Sequence, residues 1–219
     1  MRIWIMNAAA LSAEQVDEMR QMLPMSWITS AKHPESVVSA WLALGALYCG
    51  STEGGLAVVK DNHLPFTRDS FIHTGLQWDW VVGEHGKPFP DGVVCNGVRL
   101  YISLSHSGGF AAVAVDTVAI GLDIQAHTDR SAEQILLIAR RFHPNERNIL
   151  EQNAEQLSPM FHRLWAAKES VMKLDGRGLS MGLGSFCVEC GSTLLPDGRT
   201  ADVTELEYKG IVIAAARWK

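Results

Sequence analysis

The sequence predicts an α+β fold built from two similar α/β lobes side by side, related by a pseudo-twofold axis. Three observations carry this expectation. An apolar strand opens each half, RIWIMNA at 2–8 and VAIGLDIQ at 118–125. Segments with the helical spacing of apolar residues follow each opening strand, and hairpin-linked strands close each half. Strand, helices, then strands within each half differs from strict strand–helix alternation and points to an α+β arrangement. The seam falls near residues 115–118, giving an N-terminal lobe at 1–116 and a C-terminal lobe at 117–219. A chain of 219 residues is long enough for two small cores.

The individual elements are legible in order. Ser12 caps a short helix running to about Leu23. After His33-Pro34 the apolar residues Val37, Val38, Trp41, Leu42, Leu44, Leu47 and Tyr48 repeat with helical spacing, and Gly50 can end the run. Residues 66–78 fit neither period. WDWVVGEHGKPFP (78–90) reads as a strand entering a Gly-Pro turn, and VRLYISLSHSGGFAAVAVD (98–116) as two strands joined at His-Ser-Gly-Gly. In the second half, helices are expected at about 131–142, 144–152 and 158–174. SFCVEC (185–190), ADVTELEY (201–208) and IVIAAARW (211–218) then read as strands.

Composition narrows the class of function. The net charge of −5 makes the chain a poor general binder of nucleic acid. Eight of its nineteen Lys and Arg nevertheless fall between 130 and 177, a local basic region suited to an anionic ligand or an acidic partner. The longest apolar stretch, WLALGALYCG, is too short to span a bilayer. The start lacks the apolar core of a signal peptide, so a cytoplasmic location is expected. Four scattered cysteines do not make a disulfide scaffold, and the lone Cys187-Val-Glu-Cys190 reads as ordinary cysteines rather than a metal or redox motif.

Five stretches carry candidate chemistry. In WAAKESVMKLDGRGL (165–179), Trp165, Glu169 and Lys173 fall at i, i+4, i+8 and so share one stripe of a helix. Phe161, Leu164, Lys168 and Met172 form the adjoining stripe, and Gly176 and Gly178 let backbone approach a ligand. A plain surface Glu–Lys pair would have the same spacing. In IGLDIQ (120–125), strand alternation aims Asp123 and Gln125 to one face, which suits either an oxygen-seeking ion such as Mg²⁺ or a solvated strand end. In SLSHSGG (103–109), Ser105, His106 and Ser107 form a compact donor group suited to phosphate, or a polar hairpin turn. RFHPNE sets Glu146 just inside a helix behind Pro144, and Gly86-Lys87-Pro88 offers a lysine on a stiff turn.

Taken in order, Gly86-Lys87-Pro88, SLSHSGG, IGLDIQ, RFHPNE and W-x-x-K-E-S-x-x-K-x-x-G-x-G-L, with Leu183 and Phe186, resemble the 4′-phosphopantetheinyl transferases of the surfactin-synthetase-activating (Sfp) type. The resemblance implies that fold, and transfer of the phosphopantetheine arm of coenzyme A to a serine of an apo acyl or peptidyl carrier protein, with adenosine 3′,5′-bisphosphate released. It assigns Asp123 and Glu169 to Mg²⁺, with Gln125 behind them, and Glu169 and Lys173 to catalysis. It assigns Ser105 and His106 to the 3′-phosphate and Lys87 with Pro88 to the adenine side. Lys32 is the weaker candidate for the 3′-phosphate from the N-terminal half, with His33 behind it. Glu146 matches the family's glutamate and is expected to support the metal site. Gln125 stands where the family often has Glu, which weakens the charge offered to the ion. Arg130, Arg140, Arg141, Arg147 and Arg163 are candidates for an acidic carrier. A two-lobed chain can build the site internally, so a monomer is expected.

Two other classes share some of these features. A coenzyme A- or carrier-binding module that has lost turnover is supported by Gln125 and opposed by Asp123, Glu169 and Lys173. A serine hydrolase using the Ser-His pair is opposed because neither Ser105 nor Ser107 stands in a G-x-S-x-G elbow.

Overall fold

The structure is a computed structural model that describes residues 1–24, 27, 33–49, 55–59, 81–85, 87–89, 91–95, 97–188 and 191–219. It divides into two compact units, Met1–Ile120 and Gly121–Lys219, each with its own sheet. The architecture is mixed α+β. Lys32, Gly86, Cys190 and the ambiguous stretch 66–78 lie outside the described residues.

The first unit is organised around β1 (Arg2–Asn7), whose residues 3–6 are buried, as expected for an apolar strand inside a sheet. Helix α1 (Ala13–Met22) starts at Ser12, whose hydroxyl accepts from the Gln15 amide while the Gln15 side chain accepts from the Ser12 amide. Helix α2 (Pro34–Cys49) buries Val37, Val38, Trp41, Leu42, Ala43, Ala46 and Leu47 completely. It has no polar face over these turns because it forms the middle of the core. Strand β2 (Gly55–Val59) runs parallel to β1. Strands β3 (Val93–Cys95), β4 (Val98–Ser107) and β5 (Phe110–Asp116) complete the sheet in the order β2-β1-β5-β4-β3. The β4–β5 turn is Gly108-Gly109, both at positive φ (56° and 79°), where glycine is the inexpensive residue.

The second unit opens with β6 (Ile120–Ala126), followed by α3 (Ala132–Ala139), α4 (Pro144–Gln152) and α5 (Leu157–Asp175). Strands β7 (Ser192–Leu194), β8 (Thr200–Tyr208) and β9 (Ile211–Trp218) follow, in the sheet order β6-β9-β8-β7. Among the described strands the two sheets share a rule: the opening strand lies beside the closing one, and earlier strands follow outward. The parallel edge strand β2 is the addition in the first unit.

One expected strand is absent. SFCVEC is not extended into a sheet over its described residues 185–188. Its backbone is held by buried side chains instead: the Phe186 carbonyl accepts from Lys168 Nζ at 2.7 Å, and the Val188 amide donates to Glu146 Oε1 at 2.9 Å. Buried backbone groups need partners, and here the partners come from helices α5 and α4 rather than from a neighbouring strand.

Candidate active site

The second unit brings Asp123, Gln125, Glu169 and Lys173 together. Their meeting depends on close contact between β6 and α5. A Cβ at Gly121 would lie 2.0 Å from the Ser170 carbonyl oxygen and 2.4 Å from the Leu174 amide nitrogen, so only glycine lets this strand lie against this helix. Two residues on, Asp123 is 2 % exposed and reaches the α5 stripe. Lys173 Nζ donates to Asp123 Oδ1 at 2.7 Å, and Gln125 Nε2 donates to Asp123 Oδ2 at 2.8 Å. Asp123 and Gln125 therefore do share a face.

Glu169 is the strained member of the group. Its side chain is hydrogen-bonded with Asp123 and accepts from the Trp165 indole. Burial, then the Asp123 charge, push its pKa up to about 7, against the opposing pull of Lys173. Two carboxylates in contact beside a single ammonium are short of positive charge. An oxygen-binding divalent ion would supply it, and Mg²⁺ is commonly held by one or two carboxylates with water and substrate phosphate. Asp123 and Glu169 fit that role. Gln125 aims its N–H at Asp123, so in this arrangement it orients the aspartate. Among the described residues no three His, Cys, Asp or Glu side chains come together as a metal cluster.

Trp165 fixes the helix as its position on the stripe suggests. Its ring lies 5.8 Å from Phe161 and 6.0 Å from Phe142, and those two phenyl rings stack at 5.7 Å. At the other end, Gly176 closes α5 at φ 94°. Asp175, with its side chain 1 % exposed, accepts from both Arg177 and Arg199. This cluster pins the Gly-Arg-Gly turn just past Lys173 and takes Arg177 out of the free basic surface. Arg163 is likewise paired, with Glu205 at 2.7 Å.

Glu146 is a correction to the expected metal support. It is fully buried and forms an ion pair with the equally buried Lys168 at 2.7 Å. It also accepts from the amides of His143 and Val188. Lys168 adds the Phe186 carbonyl and lies 4.3 Å from the Phe186 ring centroid. Burial lowers the Lys168 pKa, and the Glu146 charge works against that shift. With its oxygens committed to α4, the 188 amide and Lys168, Glu146 ties three segments together and does not reach the acidic pair's role.

In the first unit the SLSHSGG residues separate. All of Ser103–Ser107 belongs to β4, so alternation sends Ser105 and His106 to opposite faces. Ser105 is buried and His106 is exposed. The single donor cluster expected at a turn is therefore two half-sets. His106 Nε2 lies 3.5 Å from Ser36 Oγ in the first turn of α2. Ser36 carries no signal of this role in its own neighbourhood, since its partner is 70 residues away. A cavity of about 420 Å³ nearby in sequence is lined by Ala8, Ala9, Leu11, Arg20, Pro34 and Glu35, among others. Lys87 sits where the Gly83 amide donates to the Lys87 carbonyl, with Pro88 bridged to Val82. Cys187 is half-buried.

Comparison with known proteins points the same way. Residues 119–209 match the model of the 4′-phosphopantetheinyl transferase superfamily, just over two-fifths of the chain. A 4′-phosphopantetheinyl transferase of Bacillus subtilis is 37% identical over 151 residues, 61% of this chain and 62% of that protein. The 4′-phosphopantetheinyl transferase psf-1 of Bacillus pumilus is 38% identical over 104 residues, 47% of this chain and 41% of its own length. The 4′-phosphopantetheinyl transferase Sfp of Bacillus subtilis (strain 168) is 34% identical over 111 residues, 48% and 44% of the two chains. The chain thus spans less than two thirds of the length of these relatives. The segment that holds Asp123, Gln125, Glu169 and Lys173 is the segment that matches the 4′-phosphopantetheinyl transferase superfamily, and the resemblance read in the motifs is borne out.

Proposed function

We propose that this protein transfers the 4′-phosphopantetheine arm of coenzyme A to a serine hydroxyl of an apo acyl or peptidyl carrier protein and releases adenosine 3′,5′-bisphosphate. The observation that carries this reading is the convergence of Asp123, Glu169 and Lys173, from strand β6 and helix α5, within the superfamily-matching segment. Asp123 and Glu169 would hold Mg²⁺, which when bound would neutralise charge on the diphosphate of coenzyme A. Lys173 supplies a compact ammonium for diphosphate oxygens, and its present bond to Asp123 keeps it on the acidic side of the helix. Glu169 is the carboxylate suited to accept the serine proton, directly or through a metal-bound water, as the oxygen forms its bond to the arm's phosphorus. The phosphorus–oxygen bond to the adenosine bisphosphate breaks in the same transfer. The main contribution is positioning and charge neutralisation.

For coenzyme A itself, His106 with Ser36 is the pair best suited to the 3′-phosphate, and Lys87 with Pro88 remains assigned to the adenine side. Ser105, facing away from His106, drops to a supporting position. Two lobes related by a pseudo-twofold axis, a monomeric state and a cytoplasmic location complete the reading.

Intact-mass measurement on a panel of apo carrier proteins, each incubated with coenzyme A and Mg²⁺, tests it. A transferase leaves a covalent phosphopantetheine on the carrier. An unchanged carrier mass across the panel, with coenzyme A still bound, would favour a binding module. Turnover of ester substrates instead would favour a hydrolase.

A further inference from the structure

Two turns before Glu169 on the same stripe of α5, His162 is 1 % exposed, an unusual burial for an imidazole. Its Nδ1 lies 2.7 Å from the Ser158 carbonyl oxygen. A carbonyl only accepts, so Nδ1 carries the proton and Nε2 offers a lone pair. That lone pair faces Thr128, whose amide donates across 3.3 Å and whose hydroxyl lies at 3.1 Å. Thr128 belongs to the exposed segment 127–130, which leaves β6 immediately after the acidic strand and ends at the Ser131 cap of α3. Arg130 donates to the Thr128 hydroxyl at 3.3 Å, and the His127 ring meets His162 edge-on at 5.1 Å.

The pattern along α5 is a series of ties on one stripe. Lys173 and Glu169 hold Asp123 on the strand, and His162 holds the segment that follows it. An exposed segment fastened to a buried ring is held in one shape without being covered, which is what a receiving surface requires. We propose that His162 is a positioning residue acting through Thr128: it locks segment 127–130 beside the acidic pair, and the locked segment receives the protein acceptor. This rests on the transferase reading above. It separates acceptor affinity, which depends on the lock, from coenzyme A affinity, which does not.

The lock requires a neutral ring. A proton on Nε2 would set one N–H against another and remove the acceptor that Thr128 uses. Burial lowers the pKa of His162; the Ser158 bond opposes this, and the facing charges of His127 and Arg130 add to the lowering. A depressed histidine pKa means the lock is whole above the ordinary imidazole range and is lost as pH falls through the lowered value.

Amide hydrogen exchange on the full chain, paired with steady-state kinetics on a carrier that the wild type modifies, tests the proposal. In the wild type the Thr128 amide is protected at neutral pH, and its protection factor falls on acidification. His162→Phe fills the volume without an acceptor; it lowers that protection by about tenfold, the worth of one hydrogen bond, and raises KM for the carrier by a similar factor while KM for coenzyme A holds. His162→Gln keeps one donor and one acceptor on a group that does not titrate, so protection survives and its acid loss disappears. Wild-type protection in His162→Phe overturns the lock. Lost protection with an unchanged carrier KM, or with both KM values rising together, overturns the acceptor role. Should His162→Phe fail to fold, Thr128→Pro removes the donor at an exposed position, and the same KM split decides. A wild type that modifies no carrier overturns the transferase reading and the acceptor role with it, while the exchange data still decide the lock.

Discussion

Lys173 and Asp123 stand fifty positions apart, yet Lys173 Nζ lies 2.7 Å from Asp123 Oδ1. The contact exists because Gly121 lets β6 lie against α5, and it sets an ammonium beside two touching carboxylates. From this relationship the behaviour of the site follows.

Glu169 makes stability depend on pH when no divalent ion is present. Its folded pKa of about 7 lies above the ordinary carboxyl value of 4.5, so the folded state binds the extra proton. The favourable contribution is complete below about pH 4.5 and is lost as pH rises through 7. Thermal unfolding in chelator should show stability falling from pH 5.5 to pH 8, and Glu169→Gln should flatten that slope. Mg²⁺ should restore stability at pH 8 in the wild type alone. The same variant should lose transfer by about a hundredfold or more, because charge at the reacting centre is the main catalytic asset.

Gln125→Glu exchanges an amide donor for a third carboxylate. Without metal, the new charge has lost the bond to Asp123 Oδ2 and repels both acids, so the variant should be less stable at pH 8 than the wild type. With metal, the added charge should tighten Mg²⁺ by about tenfold while transfer is retained. An unchanged Mg²⁺ titration would show that this side chain acts only on Asp123.

The Lys168–Glu146 pair concerns stability rather than chemistry. Lys168→Met leaves a buried carboxylate uncompensated and should cost about 3–5 kcal/mol in denaturant unfolding. Replacing both partners should recover only part of that loss. Glu146 also serves the His143 and Val188 amides, which an apolar residue would leave without acceptors.

Gly121→Ala tests the approach of strand and helix. The added methyl meets backbone, which cannot swing aside, so the two elements must separate. Overpacking of this kind costs about 1–3 kcal/mol. Weaker Mg²⁺ binding should accompany the loss, because Asp123 moves with its strand. A variant with full stability and unaltered metal binding would show that the contact does not set the site.

Much of this was readable in the chain. The i, i+4, i+8 stripe of Trp165, Glu169 and Lys173, and the shared face of Asp123 and Gln125, depend only on local period, and the structure keeps both. Two features depend on distant partners, and a third on where a turn begins. Lys168 looks like a surface lysine until Glu146 and the 186 carbonyl are brought to it. SFCVEC has a strand's composition, but its carbonyl and amide go to those same buried charges. Ser105 and His106 look like one turn cluster because His-Ser-Gly-Gly has a turn's composition, but the strand continues to Ser107 and sends them apart.

The most direct measurement is a divalent-ion titration, with Mn²⁺ followed by electron paramagnetic resonance in the presence of coenzyme A. A shared ion predicts saturable binding in the wild type and loss of that binding in both Asp123→Asn and Glu169→Gln. Binding that survives in either variant at wild-type strength would contradict a site built by strand β6 and helix α5 together.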